Sequence, residues 1–243
     1  DADPEVHVIV LCGAGKGFCG GYDLERYAEA EGEVPGSQAM PWDPTVDYAL
    51  MAGNTDDFMA LWRAKKPTIC KIHGAAAAGG SDIALCCDLI VMAEDARIGY
   101  PPARVWGIPT TMMWVYRLGI EQAKRMLFTG DLISGSEAAR IGLVHEAVPA
   151  AELDATVARL CDRIKGVPKN QLMMSKLAVN QAYEAMGLLN TQRFANFFDG
   201  IARHSPEGLW FRERAQAVGF KEAVRERDSG APIAPGVDKR LPE

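Results

Sequence analysis

No apolar stretch in these 243 residues reaches the roughly 18 to 20 positions that a bilayer-crossing helix needs. A basic surplus is missing as well: 26 Lys and Arg stand against 32 Asp and Glu, for a formal net charge of -6. That balance excludes a nucleic-acid backbone as the partner, because phosphate recognition requires a basic face. The opening Asp1-Ala2-Asp3-Pro4 lacks the basic-then-apolar pattern of a secretory leader. Paired CxxC spacings and spaced disulfide frameworks are also missing, so neither a zinc site nor any other metal is expected. Cys12, Cys70, Cys86, Cys87 and Cys161 sit in apolar runs and Cys19 in a glycine turn, so they read as small buried hydrophobes in a reducing compartment. These features together lead us to expect a cytoplasmic protein with no membrane partner.

What the chain does have is a repeated turn. Gly20-Gly21-Tyr22-Asp23-Leu24 and Gly79-Gly80-Ser81-Asp82-Ile83 share the pattern Gly-Gly-Xaa-Asp-(Leu/Ile), and each follows an apolar, strand-like run. A strand that ends in glycines and restarts as a helix exposes backbone N–H groups with no side chain in the way. The first helical turn adds unpaired donors and the positive end of the dipole. Two such turns facing each other would form an oxyanion hole.

The length allows one large domain, or a domain with an appended subdomain. Residues 6–11, 68–72 and 89–93 are nearly continuous apolar runs and predict strands buried on both faces. The segment carrying Pro35, Gly36, Pro41, Pro44 and Gly53 reads as too broken for a core element, a surface excursion beside the site. A helix then follows with Phe58, Leu61 and Trp62 on one face. A short helix is expected over 81–87. Ser134 and Glu137 have capping-box spacing, Gly142 is placed to end that helix, and 143–148 reads as a strand. Beyond Pro149, Leu153, Val157, Leu160 and Ile164 fall at helical spacing; Gly166 and Pro168 break the chain, and two or three further helices are expected. From Ser229 on, Pro232, Pro235 and Gly236 predict a loose tail.

The segment from Gly13 to Leu24, Lys71-Ile72-His73-Gly74, the turn from Ala78 to Asp82, and Cys87-Asp88 together resemble the enoyl-CoA hydratase/isomerase, or crotonase, family. Residues 127–134, Glu137-Ala138, Gly142-Leu143-Val144 and the run 220–227 extend the resemblance over most of the chain. It implies an α/β fold: a crotonase-type spiral of repeated strand-strand-helix units over 1–148, then a helical region at 149–243 that mediates homotrimers, often paired into hexamers. The family's proteins begin with a further strand hairpin and helix before Asp3-Pro4-Glu5-Val6, so contacts those supply to coenzyme A are expected to lie outside this sequence. The implied substrate is an acyl-CoA thioester, with coenzyme A part of the substrate and no tightly bound cofactor. Carried over by position, the oxyanion donors are the N–H groups of Tyr22 and Gly79, with Gly20, Gly21 and Gly80 shaping the site and Asp82 transferring a proton. Lys16 is read either as meeting a coenzyme A phosphate or adenine or as a solvated loop lysine, and Tyr100 or Arg104 as lending a hydrogen bond to substrate, with packing of the pocket wall the alternative for Tyr100.

One departure from the family bears on chemistry. Hydratases of this type use two glutamates; here the first position holds the shorter Asp82, and the second falls at Pro102 or Ala103, in a run from Gly99 to Gly107 that contains no acid. Addition of water needs one group to take its proton and a group to protonate the α carbon, each worth roughly 100- to 10,000-fold. A one-acid isomerase, a CoA-ester hydrolase and a non-catalytic acyl-CoA-binding protein therefore stand beside the hydratase reading. Asp23 is expected to bond nearby backbone at its turn, and His73 to pack as a structural residue. Trp42, Trp62 and Trp106 are expected in the core first and an acyl pocket second.

Overall fold

The computed structural model describes residues 1–231 apart from Glu33, Pro35, Ser37 and Met40. The expected tail at Pro232, Pro235 and Gly236, and the chain break at Pro35, lie outside the described residues. The centre of the fold is a four-stranded parallel sheet in the order β1 (Ile9–Cys12), β2 (Thr68–Ile72), β4 (Leu89–Ala93), β7 (Glu146–Val148). β2 and β4 occupy the residues expected of them, in a register that sets Ile69 opposite Leu89 and Ile72 opposite Met92. Their side chains point alternately to two covered faces, so nearly every position is buried and the sequence shows no polar alternation.

β1 departs from that expectation. It begins at Ile9 and pairs only with β2, so it forms a sheet edge, and its residues alternate between half-buried and exposed, with Val10 40% exposed. Cys12, at its end, is exposed and Cys161 half-buried, while Cys70, Cys86 and Cys87 are buried as expected; all six thiols are free. A second sheet stacks β3 (Ala75–Ala77), β5 (Arg97–Gly99) and β6 (Leu132–Ser134), with β3 and β5 parallel and β6 antiparallel.

The excursion before β2 is also more ordered than its prolines and glycines imply. α1 runs from Pro44 to Arg63 and carries Gly53 in its interior. Asp43 caps it by accepting the Thr45 N–H at 2.9 Å, and Pro44 takes the first helical position, where a missing N–H costs nothing. Trp62 is buried, with Phe58 and Leu61 packed beside it on the main core. α2 (Gly79–Leu85) precedes β4, and α3 (Met113–Thr129), which follows β5, packs against α2. Ser134 caps α4 (Gly135–Arg140) through the Glu137 N–H, and Gly142, with φ +80°, lets the chain turn out of that helix. The expected strand over 143–148 shortens to β7, because the N–H groups of Leu143 and Val144 return to the Ala138 carbonyl of α4.

α5 (Leu153–Lys165) follows, and then four helices rather than two or three: α6 (Lys169–Ala185), α7 (Leu188–His204), α8 (Pro206–Val218) and α9 (Phe220–Asp228). α7 packs on α1 with a polar face: Gln192, Asn196 and Asp199 are buried, while Phe194, Phe197, Phe198 and Ile201 are 41–68% exposed. Thr55 of α1 donates to Asn196 Oδ1 at 2.7 Å, and Gln192 donates to the Thr111 carbonyl at 3.0 Å, so the buried amides are satisfied.

Candidate active site

The two glycine turns meet. Phe18 and Cys19 run alongside β3, where Cys19 N–H donates to Ala75 O at 3.0 Å and Ala77 N–H to Cys19 O at 2.9 Å. This brings residues 20–22 against the start of α2. Gly21 has φ +98°, and a Cβ there would lie 2.9 Å from the Ala78 Cβ and 3.1 Å from the Gly79 nitrogen. Only glycine permits both that backbone and that approach. A Cβ on Gly79 would in turn sit 3.4 Å from the Tyr22 ring. Between them Ala78 is held at φ 53°, ψ -127°, a conformation rare for an L residue and worth on the order of 1 to 3 kcal/mol of strain. Its N–H is fixed by Gly99 O at 3.0 Å. Among the described residues, neither the Tyr22 nor the Gly79 N–H donates to a backbone carbonyl outside the regular elements.

Both turns open onto a cavity of about 500 Å³, lined by Gly20, Gly21, Tyr22, Gly79 and Tyr100 and walled by Leu24, Met51, Trp106 and Phe220. Tyr22 accepts a hydrogen bond from Asn54 Nδ2 at 3.1 Å; burial, followed by the Asp82 charge, pushes its phenol up to about 12. Tyr100 is 5% exposed, and burial followed by Asp82 raises its phenol too, so both hydroxyls keep their protons at neutral pH.

Four expected site residues stand elsewhere. Asp82 is 2% exposed and off the cavity wall; the Thr111 hydroxyl donates to its Oδ1 at 2.9 Å, and its charge is close enough to the Tyr22 and Tyr100 phenols to raise their pKa values. Desolvation by burial lifts its pKa to about 8 against the Thr111 hydrogen bond. Lys16 is exposed in its loop and does not line the cavity; its carbonyl is what packs under Gly74. Gly80 is a packing glycine, where a Cβ would stand 2.2 Å from Cys19 O. Arg104 is turned away: it donates to Thr129 O at 2.7 Å and pairs with Asp131 and Asp228 at 3.0 and 3.1 Å.

Several residues of weaker standing fall where they were expected. Asp23 Oδ1 accepts the N–H groups of Glu25 and Arg26 at 3.1 and 3.3 Å, holding a single π-helical turn at Glu25–Glu29, although Asp23 also borders the cavity. His73 ties to Gly15 O at 2.9 Å, and Trp62 is core. Trp106 is a cavity residue, whereas Trp42 lies, against expectation, in neither core nor cavity lining: it is half-buried and stacks on His204 at 4.6 Å.

The far wall of the cavity was missed from the sequence. It is built by Asp199 and Arg203 of α7 and by Arg227 and Asp228 at the end of α9. Arg203 bridges Asp47 of α1, at 2.8 Å, and Asp199, and donates to Gly36 O at 2.8 Å. Arg227, 5% exposed, pairs with Asp228 at 2.8 Å and lies over the Phe211 ring. The one available signal is that Asp199 and Arg203 stand four residues apart in an otherwise aromatic and apolar stretch, a spacing equally typical of a surface ion pair.

A family model described as Enoyl-CoA hydratase/isomerase matches residues 1–216. The chain belongs to the enoyl-CoA hydratase/isomerase family. Within it, the chain is 30% identical over 231 residues to a putative enoyl-CoA hydratase of Thermus thermophilus, covering 93% of this chain and 81% of that one. Its fold superposes on the crystal structure of an enoyl-CoA hydratase from Mycobacterium smegmatis with TM-score 0.87 and 48% identity, covering 94% of this chain and 80% of that one. An enoyl-CoA hydratase/isomerase from Xanthobacter autotrophicus gives 0.83 at 29% identity, over 95% and 84% of the two chains. The chain is thus a crotonase-fold member with the strand-helix repeats and C-terminal helical region of that fold. Of the two candidate positions for the second family acid, Pro102 is on the cavity wall, whereas Ala103 packs toward the core.

Proposed function

We propose that this chain processes acyl-CoA thioesters by holding the thioester oxygen at the N–H groups of Tyr22 and Gly79 while a carboxyl group moves one proton at the α carbon. The observation that carries this reading is the contact between the two glycine turns, which brings residues 21–22 and 78–79 together at the cavity. A thioester carbonyl that becomes an enolate gains negative charge on oxygen, and fixed donors favour that state over the ground state. Asp82 is the proton-transfer carboxyl of this reading, its proton passing to the cavity through the Tyr22 or Tyr100 hydroxyl near it. With a pKa of about 8 it carries a proton at neutral pH and titrates close to the working range, as an acid-base group should.

The inside-out surface of α7 supports assembly into trimers or hexamers, since Phe194, Phe197 and Phe198 are too large and too clustered to face water at no cost. Light scattering on the purified protein checks the stoichiometry. The free thiols and acidic charge fit a cytoplasmic location.

The activity test is the loss of conjugated absorbance from short and medium enoyl-CoA esters. Turnover in the parent and its loss in Asp82→Ala is the expected result; an unaffected rate in that variant refutes the role of Asp82. Pro102 on the cavity wall favours a second reading, in which a single acid serves an isomerase or a CoA-ester hydrolase. Double-bond migration or release of free thiol from the same substrates identifies those reactions. Tight binding of the ester with no product identifies a non-catalytic acyl-CoA-binding member.

A further inference from the structure

Resting on the enolate reading above, the geometry points to Asp199 as a second catalytic carboxylate, supplied by the C-terminal helical region in place of the acid that the 99–107 run lacks. The placement is specific. A Cβ on Gly107 would lie 3.1 Å from the Pro102 Cβ, 3.4 Å from the Tyr100 hydroxyl and 3.5 Å from Asp199 Oδ1. Carboxylate and phenol therefore flank one small volume beside the position where the family's second acid would stand. Gly107 itself is tied to Pro102 O at 3.1 Å, and the next amide, Ile108 N–H, donates to Asp199 Oδ1 at 3.0 Å. A carboxylate from α7 is thus fastened to the loop that would otherwise carry one.

The charge count separates Asp199 from its neighbours. Among the described residues three carboxylates border the cavity: Asp23, Asp199 and Asp228. Asp23 is engaged by two amides of its own turn, and Asp228 is held by both Arg227 and Arg104. Asp199 shares its arginine. Arg203 is already matched by Asp47, which is 1% exposed, off the cavity, and further held by Trp42 Nε1 and by Gln38 Nε2 at 3.1 Å. Two buried carboxylates share one guanidinium, and the one of the two on the cavity wall is Asp199. Fixed by Ile108 and Arg203, it retains lone pairs for a water molecule.

On an enoyl thioester, Asp199 takes a proton from water as the water oxygen bonds to Cβ, and the π pair moves through Cα to the thioester oxygen at the Tyr22 and Gly79 amides. The enolate then collapses by taking on Cα a proton that Asp82 supplies through a neighbouring phenol on the cavity wall. Asp199 returns its proton to solvent, from which Asp82 is reprotonated, and the net change is addition of one water.

The test compares two reactions on the full chain: hydration of crotonyl-CoA, and exchange of the α protons of butyryl-CoA in deuterium oxide, which needs only the amides and one acid. Asp199→Asn keeps an acceptor for Ile108 and is expected to lose roughly 100-fold or more in hydration while α exchange stays near the parent rate. Hydration at the parent rate overturns the proposal, and so does an equal fall in both reactions, which marks a merely structural residue. Should that variant lack a cooperative thermal transition, Gly107→Ala decides. It leaves Asp199 in place and narrows the shared volume, so hydration is expected to fall roughly 10- to 100-fold with exchange retained, and an unchanged hydration rate refutes the assignment. A parent enzyme that exchanges but does not hydrate removes this proposal and spares the enolate reading; one that does neither removes both.

Discussion

The two walls of the cavity are made of different material. The wall formed by residues 20–22 and 78–79 presents main chain: its working groups are amides, and its shape comes from glycines that let two turns approach so closely that a Cβ on Gly21 would lie 3.1 Å from the Gly79 nitrogen. The wall formed by α7 and α9 presents side chains, and its working groups are guanidinium and carboxylate held in mutual ion pairs. The first is rigid because backbone geometry leaves it no alternative. The second is rigid only as long as every charge keeps its partner, so the same packing error is tolerated very differently on the two sides.

The sharpest way to break that comparison is on the charged side. Arg203→Ala leaves Asp47 and Asp199 buried and unpaired, and is expected to destabilise the fold by about 3 to 5 kcal/mol. Urea titration measures it; a loss no larger than that of a surface pair would show that these charges are not what fixes α7 on α1. On the backbone side the matching change is Gly21→Ala. The new methyl would press on the Ala78 Cβ at 2.9 Å while the backbone is strained at positive φ, and the two amides would be moved apart. We expect roughly a 100-fold loss of turnover, equivalent to about 2.7 kcal/mol of barrier, with a smaller effect on stability. Steady-state rates set beside a melting curve separate the two.

The same contrast explains what could be read from the sequence. β2 and β4 were legible to the residue because strands covered on both faces leave uninterrupted apolar runs. The oxyanion candidates were legible because amide sites demand glycine, and glycine pairs are visible. Of α1 only the second half was, with Phe58, Leu61 and Trp62 on one face; its start was hidden because Pro44 and Gly53 look like breakers until Asp43 is seen to cap the helix and place the proline at its first position. Asp199 and Arg203 were hidden for a related reason. Helix α7 buries polar residues against α1 and turns phenylalanines outward, so its hydrophobic pattern names the wrong face as the core. Asp82 was located in sequence but not in depth, because chain position does not tell whether an aspartate lines a cavity or is buried off its wall.

That depth has a thermodynamic signature. With its folded pKa raised to about 8 from an unfolded value near 3.8, Asp82 holds a proton in the folded state that the unfolded chain has already released. Its contribution is therefore fully present below pH 4 and is lost as the pH rises towards 8, at about 1.4 kcal/mol for each pK unit of displacement. Asp82→Asn removes the titration, so the stability of the variant relative to the parent should climb between pH 4 and 8 and then level off. A parallel pair of stability curves would place Asp82 in contact with water.

The smallest expected effect lies where the two kinds of wall meet. Asp23 borders the cavity as a side chain but acts on backbone, capping the π-helical turn through Glu25 and Arg26 at 3.1 and 3.3 Å. If that is its whole role, Asp23→Asn should be nearly silent, because an amide oxygen accepts the same bonds, whereas Asp23→Ala should cost about 1 kcal/mol of stability. Turnover would fall only as far as Tyr22, at the preceding position, is loosened. Should Asp23→Asn instead lose activity while keeping its melting temperature, the negative charge itself would be at work. Asp23 would then belong with Asp199 on the charged side, not with the glycine turns.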